Sequence, residues 1–146
     1  MIVQQILKLK ASNEVTTVPP GTDVSHVAEI LASRKIGTVV VSSDGKTILG
    51  IVSERDIVAE VARNGNVCLI APVEAIMTKA VQCCKCAESA DSVLERMTTG
   101  RFRHMPVVDA AGDEMVGLIS IGDVVKARLM ELAAEKDALE GMIKGF

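Results

Sequence analysis

The sequence has few aromatic residues: among 146 residues there is no tryptophan, no tyrosine and two phenylalanines. The core must therefore be aliphatic, and the sequence offers no set of aromatic side chains on which exposed bases could stack. The formal net charge is −3, which gives no electrostatic reason to expect nucleic-acid binding. No apolar run approaches the roughly 20 residues that a membrane span needs, and residues 1–5 lack a signal-peptide pattern. We therefore expect a cytoplasmic protein that binds neither nucleic acid nor membranes.

The sequence is also poor in metal-binding side chains, with two histidines and four cysteines. Cys83, Cys84 and Cys86 lie within four positions, which raises the possibility of a metal site. Zinc sites, however, usually combine a C-x₂-C pair with a second pair or with histidines, and a strand points neighbouring side chains to opposite faces. We therefore predict no metal, and we interpret the cysteines as small buried apolar residues.

One seven-residue pattern occurs twice, as Gly-Ile-Val-Ser-Glu-Arg-Asp at residues 50–56 and Gly-Leu-Ile-Ser-Ile-Gly-Asp at residues 117–123. In each copy the aliphatic pair ends a buried strand, and the serine stands where a helix N-cap is wanted. A helix that begins there directs N–H groups and its positive dipole end at whatever lies beyond the strand. Such a site suits phosphate, and the aspartate could accept hydrogen bonds from hydroxyls. The alternative is that both residues only cap their helices.

The remaining pattern predicts the element order β-α-β-β-α, twice. In the first repeat we expect strands at 15–18, 38–41 and 48–52, a helix from Thr22 or Asp23 that Gly37 closes, and a helix at 56–62. In the second we expect strands at 80–83, 105–108 and 115–119, a helix at 91–97 that Gly100 ends, and a helix from Asp123. Units of ~60 residues bury little surface alone, so the two sheets should pack together in one α/β (α+β) fold. Residues 2–10 form a short helix or a docking segment.

These features resemble the CBS-domain family, specifically a stand-alone tandem pair (a Bateman module) with pseudo-two-fold symmetry. The resemblance rests on Ile76-Met77-Thr78, on the Arg-His-Met-Pro-Val-Val-Asp stretch at 103–109 and on both Gly-x-x-Ser-x-x-Asp segments. The first repeat departs from the family, with Ile6-Leu7-Lys8 at the first motif and Val39 where proline is usual. The repeats span residues 8–66 and 76–132, and a C-terminal helical extension covers 133–146.

The resemblance implies two clefts between the repeats that bind adenosine-containing ligands. Carried over by position, cleft A combines Lys35, Ile36, Gly37 and Thr38 with Ser120, Gly122 and Asp123. Cleft B combines Arg103, His104, Met105 and Pro106 with Ser53, Arg55 and Asp56. Thr16 and Thr78 fall near the family's first-strand contacts. The serines would contact phosphate or ribose, and the aspartates would bind the ribose hydroxyls.

The two clefts differ in predicted charge. Arg55, Arg103 and His104, with Arg101 close in sequence, surround cleft B, whereas Lys35 is the one predicted base of cleft A. Cleft B should therefore prefer the more phosphorylated end of a ligand. Protonation of His104 at a pH below about 6.5, the ordinary pKa of histidine, should strengthen binding there. The alternative is that these side chains are ordinary surface charges and that Lys35 favours a helix C-terminus.

We therefore expect a regulatory module that binds AMP, ADP, ATP or NAD(H), requires no cofactor, senses energy or redox state and signals to a partner protein. A purely structural dimerisation module with empty clefts is the alternative, and a nucleotide-processing enzyme is a weaker one, because no phosphate loop or paired nucleophile and base is present. The apolar stripe of the last helix predicts a homodimer.

Overall fold

The computed structural model describes residues 1–145. The first half of the chain forms three helices and three strands, joined to the second half by two 3₁₀ turns at Gly65–Ile70 and Val73–Ala75. In chain order these elements are α1 (Val3–Leu9), β1 (Thr17–Val18), α2 (Val24–Arg34), β2 (Thr38–Val41), β3 (Gly50–Ser53) and α3 (Glu54–Asn64).

The second half repeats the order strand, helix, two strands, helix. Its elements are β4 (Cys84–Lys85), α4 (Ala90–Gly100), β5 (His104–Val108), β6 (Met115–Ser120) and α5 (Ile121–Ile143). The predicted α/β architecture of two β-α-β-β-α repeats is confirmed. Phe146, the last residue of the predicted C-terminal extension, lies outside the described residues.

The two sheets have the same topology. In the first, β1 runs parallel to β2 and β2 antiparallel to β3; in the second, β4 runs parallel to β5 and β5 antiparallel to β6. The register pairs Thr38 with Ser53 and His104 with Ser120. Each predicted binding serine therefore ends a strand beside the first residue of the neighbouring central strand.

Both central strands are buried on both faces. Val39 and Val41 of β2 belong to the core of the first repeat, and Met105 and Val107 of β5 belong to the core of the second. The alternate residues of these strands, such as Val40, face the other way and are also buried. Because successive side chains of a strand point to opposite faces, each sheet is covered on its second face as well.

The short helix α1 packs with the second repeat, although it precedes the first in sequence. Val3, Ile6 and Leu7 are buried in the same core as Val124 and Ala127 of α5. Residues 2–10 therefore form both the predicted helix and the predicted docking segment.

Several predicted boundaries were wrong. The first strand of the second repeat is Cys84–Lys85 rather than 80–83, and that of the first repeat is limited to Thr17–Val18. Gly100 is the last residue of α4, as predicted, but Gly37 lies beyond the end of α2. Lys35 (φ 54°) and Arg101 (φ 57°) take the left-handed conformation just after α2 and α4. Each donates its N–H back to a carbonyl of the last turn, which closes the helix.

Candidate functional site

The two repeated motifs form the same local structure. Ser53 caps α3, where its Oγ accepts from the Asp56 N–H at 3.3 Å, and Ser120 caps α5, where its Oγ accepts from the Asp123 N–H at 3.1 Å. Each carboxylate reaches back to accept from the N–H of its serine at 2.8 Å. These capping boxes fix both aspartates beside the ends of β3 and β6.

The helix N-termini offer fewer free donors than the sequence suggests. The first N–H of α3, from Glu54, donates to the Gly37 carbonyl at 3.0 Å, and the first N–H of α5, from Ile121, donates to the Arg103 carbonyl at 2.8 Å. The third N–H of each helix is taken by the capping serine. A bound phosphate would therefore depend on side-chain cations more than on these backbone groups.

Cleft B is a cavity between the repeats with a volume of about 530 Å³. Of the predicted cleft B residues, Ser53, Arg55, Asp56, Arg103 and His104 line it, and so does Thr78. Thr78 is held at the wall by paired backbone hydrogen bonds with Ile51 of β3, at 2.9 and 3.0 Å. A volume of this size lies within the range of small-molecule sites, about 300–1,000 Å³.

Met105 and Pro106 do not line cleft B. Both are buried in β5, and Met105 is fully enclosed in the core of the second repeat. Their side chains pack within the protein interior, so these two residues affect the cavity only through the backbone path of β5.

Cleft B also has an apolar wall that residue patterns did not predict. The residues that form this wall are Ile51, Ala80, Val81 and Phe102. Phe102 is half-buried and packs against the core of the second repeat, and a Cβ on Gly100 would collide with its ring. One aromatic side chain therefore lines cleft B, whereas the expectation that no set of aromatic side chains is available for stacking bases stays a prediction.

The charges around cleft B are predominantly positive. Arg55, Arg101 and Arg103 line the cavity with the carboxylates of Glu54 and Asp56. Three guanidinium groups against two carboxylates leave a formal charge of +1 with His104 neutral. Within residues 1–145, none of the three arginines has a carboxylate within 4.0 Å, so each can pair with an added anion.

Cleft A is smaller, at about 220 Å³. The predicted residues that line it are Thr16, Ile36, Gly37, Thr38, Ser120 and Asp123. Lys35 does not, because its left-handed backbone caps α2 and its side chain is exposed. Gly122 does not line it either and lies exposed in the first turn of α5. The binding roles of all these residues stay predictions.

Two charged residues of cleft A come from a segment that was not predicted to contribute. Lys10 and Glu14, which follow α1, line the cavity beside Asp123. The Nζ of Lys10 donates to the Leu118 carbonyl at 2.7 Å and lies 3.1 Å from Oδ2 of Asp123. Burial raises the pKa of Asp123, but hydrogen bonds from the Ser120 N–H and from Lys10 outweigh it and hold the pKa below its ordinary value.

The two cavities share a wall made of Gly37, Thr38 and His104. A Cβ on Gly37 would lie 3.3 Å from Cε1 of His104, so a glycine there lets the imidazole lie against β2. Burial lowers the pKa of His104 below its ordinary value, and the nearby Asp123 carboxylate opposes that shift only in part. Protonation of His104 therefore requires a pH below the predicted value of about 6.5.

The cysteines lie in or beside the core. Cys84 and Cys68 are buried, while Cys83 and Cys86 are half-buried. Burial, followed by the charge of Glu88, raises the pKa of the Cys84 thiol to about 12, so this thiol stays protonated at neutral pH. Within residues 1–145, no group of three or more His, Cys, Asp or Glu side chains could hold a metal ion. None of the helices in this part of the chain is long and apolar enough to cross a bilayer.

Comparison with known proteins finds the CBS-domain model matching twice, at residues 3–63 and 73–130. A crystal structure of a CBS-domain containing protein from Agrobacterium tumefaciens is 43% identical, with a TM-score of 0.81 over 88% of this chain and 99% of that one. A CBS domain protein from Pyrobaculum aerophilum complexed with AMP is 28% identical, with a TM-score of 0.76 over 92% and 99% of the two chains.

A longer relative matches as well. A CBS domain-containing protein of Arabidopsis thaliana is 27% identical over 98% of this chain, which spans 27% of the length of that relative.

Proposed function

Because the chain belongs to the CBS-domain family, with two CBS domains in tandem, we propose that it is a regulatory module that binds an adenine nucleotide such as AMP, ADP, ATP or NAD(H). In this proposal the bound nucleotide reports energy or redox state to a partner protein. The structural neighbour from Pyrobaculum aerophilum is complexed with AMP, which supports the ligand class.

The observation that carries the proposal is the composition of cleft B. Asp56 lies in the first turn of α3 with its Oδ2 held by the Ser53 N–H and Oγ, at 2.8 and 3.1 Å. Within residues 1–145, no cation lies within 4.0 Å of this carboxylate. A fixed carboxylate without a cationic partner is a suitable acceptor for the two hydroxyls of a ribose.

The rest of cleft B fits the other parts of a nucleotide. The apolar wall of Ile51, Val81 and Phe102 gives adenine a surface to lie against. The guanidinium groups of Arg55 and Arg103 lie on the rim of the same cavity and suit phosphate oxygens, which arginine's planar fork can bind bidentately.

Calorimetric titration of AMP, ATP and NAD into the wild-type chain and into Asp56→Asn tests the proposal. The asparagine can still accept from the Ser53 N–H, so the cap is retained while the charge is lost. We expect the affinity to fall about ten- to a hundredfold, since a hydrogen bond to a charged group contributes roughly 1.5–3 kcal/mol. Asp137→Asn, on the exposed end of α5, is the matched control and should bind like the wild type. Equal affinities for Asp56→Asn and wild type would refute the assignment of cleft B.

Thermal melting separates this proposal from a purely structural role. A ligand at about 100 times its dissociation constant should add about 2.7 kcal/mol to the free energy of unfolding. If none of the adenine nucleotides shifts the melting curve, the structural alternative is favoured. The proposal also excludes catalysis, so nucleotide recovered after prolonged incubation with the protein should be chemically unchanged.

We extend the proposal to a homodimer formed through α3 and α5. Val58 and Val125 occupy equivalent positions of the two repeats and are 67% and 43% exposed, and Leu129 and Leu132 continue the apolar face along α5. Apolar surface of this extent is typical of association sites. Light scattering should give a molecular mass of twice 15.4 kDa for the wild type, and Leu129→Glu should have the mass of the monomer. A monomeric wild-type protein at micromolar concentration would contradict the dimer. The cytoplasmic location stays a prediction.

A further inference from the structure

Cleft A holds a cation of its own at the position where the family resemblance places the ribose. The Nζ of Lys10 lies 3.1 Å from Oδ2 of Asp123 and donates to the Leu118 carbonyl at 2.7 Å. The side chains of Lys10 and Asp123 are only 26% and 25% exposed. The ion pair is therefore partly shielded from water, and a shielded ion pair is stronger than one that is fully exposed at the surface.

The packing of α1 fixes the position of Lys10. Leu7 is buried against Gly117 of β6, where a Cβ on the glycine would lie 2.9 Å from Cδ2 of the leucine. Lys10 follows as the C-cap of α1, with its N–H donating to the Leu7 carbonyl at 3.3 Å. The side chain thus starts from a docked helix end and reaches over β6 to the start of α5.

The equivalent position in the second repeat has no charge. Ile6-Leu7-Lys8 corresponds to Ile76-Met77-Thr78, an offset of 70 that is also the offset between the two CBS matches at 3 and 73. The same offset places Ala80 opposite Lys10, and Ala80 lines cleft B just as Lys10 lines cleft A. Asp56 accordingly lacks the cationic partner that Asp123 has.

The charges and volumes of the clefts agree with this difference. In cleft A, Lys10 is opposed by Glu14 and Asp123, which leaves a formal charge of −1 and a cavity of about 220 Å³. Cleft B carries a formal charge of +1 in about 530 Å³. Cleft A thus lies below the usual size of a ligand pocket and repels phosphate, whereas cleft B is inside that range and attracts it.

We propose that Lys10 closes cleft A by occupying Asp123, so that the chain binds one adenosine ligand, in cleft B, instead of two. The inference rests on the proposed function of cleft B as a nucleotide site. A ribose entering cleft A must displace an ammonium group from a charge-assisted hydrogen bond. Its affinity there should be lower by about ten- to a hundredfold than in a cleft whose aspartate is free.

A reciprocal exchange of the two residues tests the inference. Calorimetric titration with AMP should give one site per wild-type chain. Lys10→Ala should add a second site, and Lys10→Ala combined with Asp123→Ala should remove that added site. Ala80→Lys should place an ammonium group near Asp56 and reduce AMP affinity in cleft B about ten- to a hundredfold.

The controls separate closure from changes in folding. Lys8→Ala removes the same charge from an exposed position of α1 and should leave the number of sites at one. Thermal melting of each variant without ligand checks that the fold is retained. Ala80 is exposed, so Ala80→Lys tests the inference even if Lys10→Ala loosens α1.

The titrations distinguish failure of the closure by Lys10 from failure of the proposed nucleotide site in cleft B. If Lys10→Ala has the same number of sites as the wild type, or binds AMP more weakly because Lys10 contacts phosphate, closure by Lys10 is overturned. Two sites on the wild-type chain, one of them lost in Asp123→Ala, also overturn it while leaving the proposed function intact. If the wild type binds no nucleotide but Lys10→Ala does so through Asp123, closure stands and the proposed function of cleft B fails.

Discussion

The arginines of cleft B should discriminate between nucleotides that differ in their number of phosphates. Arg55, Arg101 and Arg103 line the cleft, are exposed, and have no carboxylate partner within residues 1–145. Arg103→Ala should weaken the binding of ATP more than that of AMP, because ATP carries two further phosphoryl groups that can reach the rim.

The expected size of the effect follows from exposure. A buried hydrogen bond to a charged group contributes roughly 1.5–3 kcal/mol, whereas an exposed ion pair contributes about 0.2–1 kcal/mol. Arg103 is exposed at the rim, so we expect a loss of about 1 kcal/mol, or about fivefold in ATP affinity, and about twofold or less for AMP. The difference should shrink with salt, since the screening length falls from about 10 Å at 0.1 M to about 3 Å at 1 M.

The assay is calorimetric titration of ATP and AMP at two salt concentrations. Arg63→Ala removes the same charge from the far end of α3, where Arg63 pairs with Glu60 at 3.8 Å, and should leave the ratio of ATP to AMP affinity unchanged. Lys35→Gln should also have no effect, because Lys35 lies outside both cavities. If Arg103→Ala loses no more ATP affinity than AMP affinity at low salt, the phosphate preference of cleft B is refuted.

Three further predictions concern stability. Burial lowers the pKa of His104, so as the pH falls the imidazole takes up its proton in the unfolded chain before it does so in the folded one. The free energy of unfolding should therefore fall as the pH drops from about 6.5 through the folded pKa. Urea unfolding of His104→Gln between pH 5 and 8 should show a weaker dependence of stability on pH than the wild type, and an equal dependence would contradict this prediction. Ser53→Ala should cost about 1 kcal/mol by removing the cap of α3, measured by urea unfolding, whereas Ser53→Asn should cost little. Gly117→Ala should cost about 1–3 kcal/mol by crowding Leu7; Gly141→Ala, which meets nothing within 4 Å, should not destabilise, and equal melting of the two variants would contradict the packing of α1.

Most of the fold could be predicted because its signals are local. The duplicated motif at an offset of 67 identified the repeat, and the serine followed three positions later by aspartate predicted both capping boxes, which the structure confirms. The hydrogen bonds of a capping box join residues three positions apart, so the sequence contains all of their determinants. The left-handed conformation of Lys35 and Arg101 was not predicted, because glycine is the usual left-handed residue and a lysine or arginine gives no signal for it.

The resemblance to the CBS-domain family, rather than any local pattern, placed both aspartates together with Arg103 and His104 in clefts between the repeats, and these residues line the two cavities.

Only the tertiary structure decided that the two clefts differ in size and in free carboxylates. The contact of Lys10 with Leu118 joins residues 108 positions apart. It forms because α1, which lies at the start of the first repeat in sequence, packs into the core of the second repeat. Local periodicity shows that α1 has an apolar face, but which core buries that face depends on the assembled shape of both repeats. The lysine that follows it therefore lies beside Asp123 for a reason that no local pattern contains.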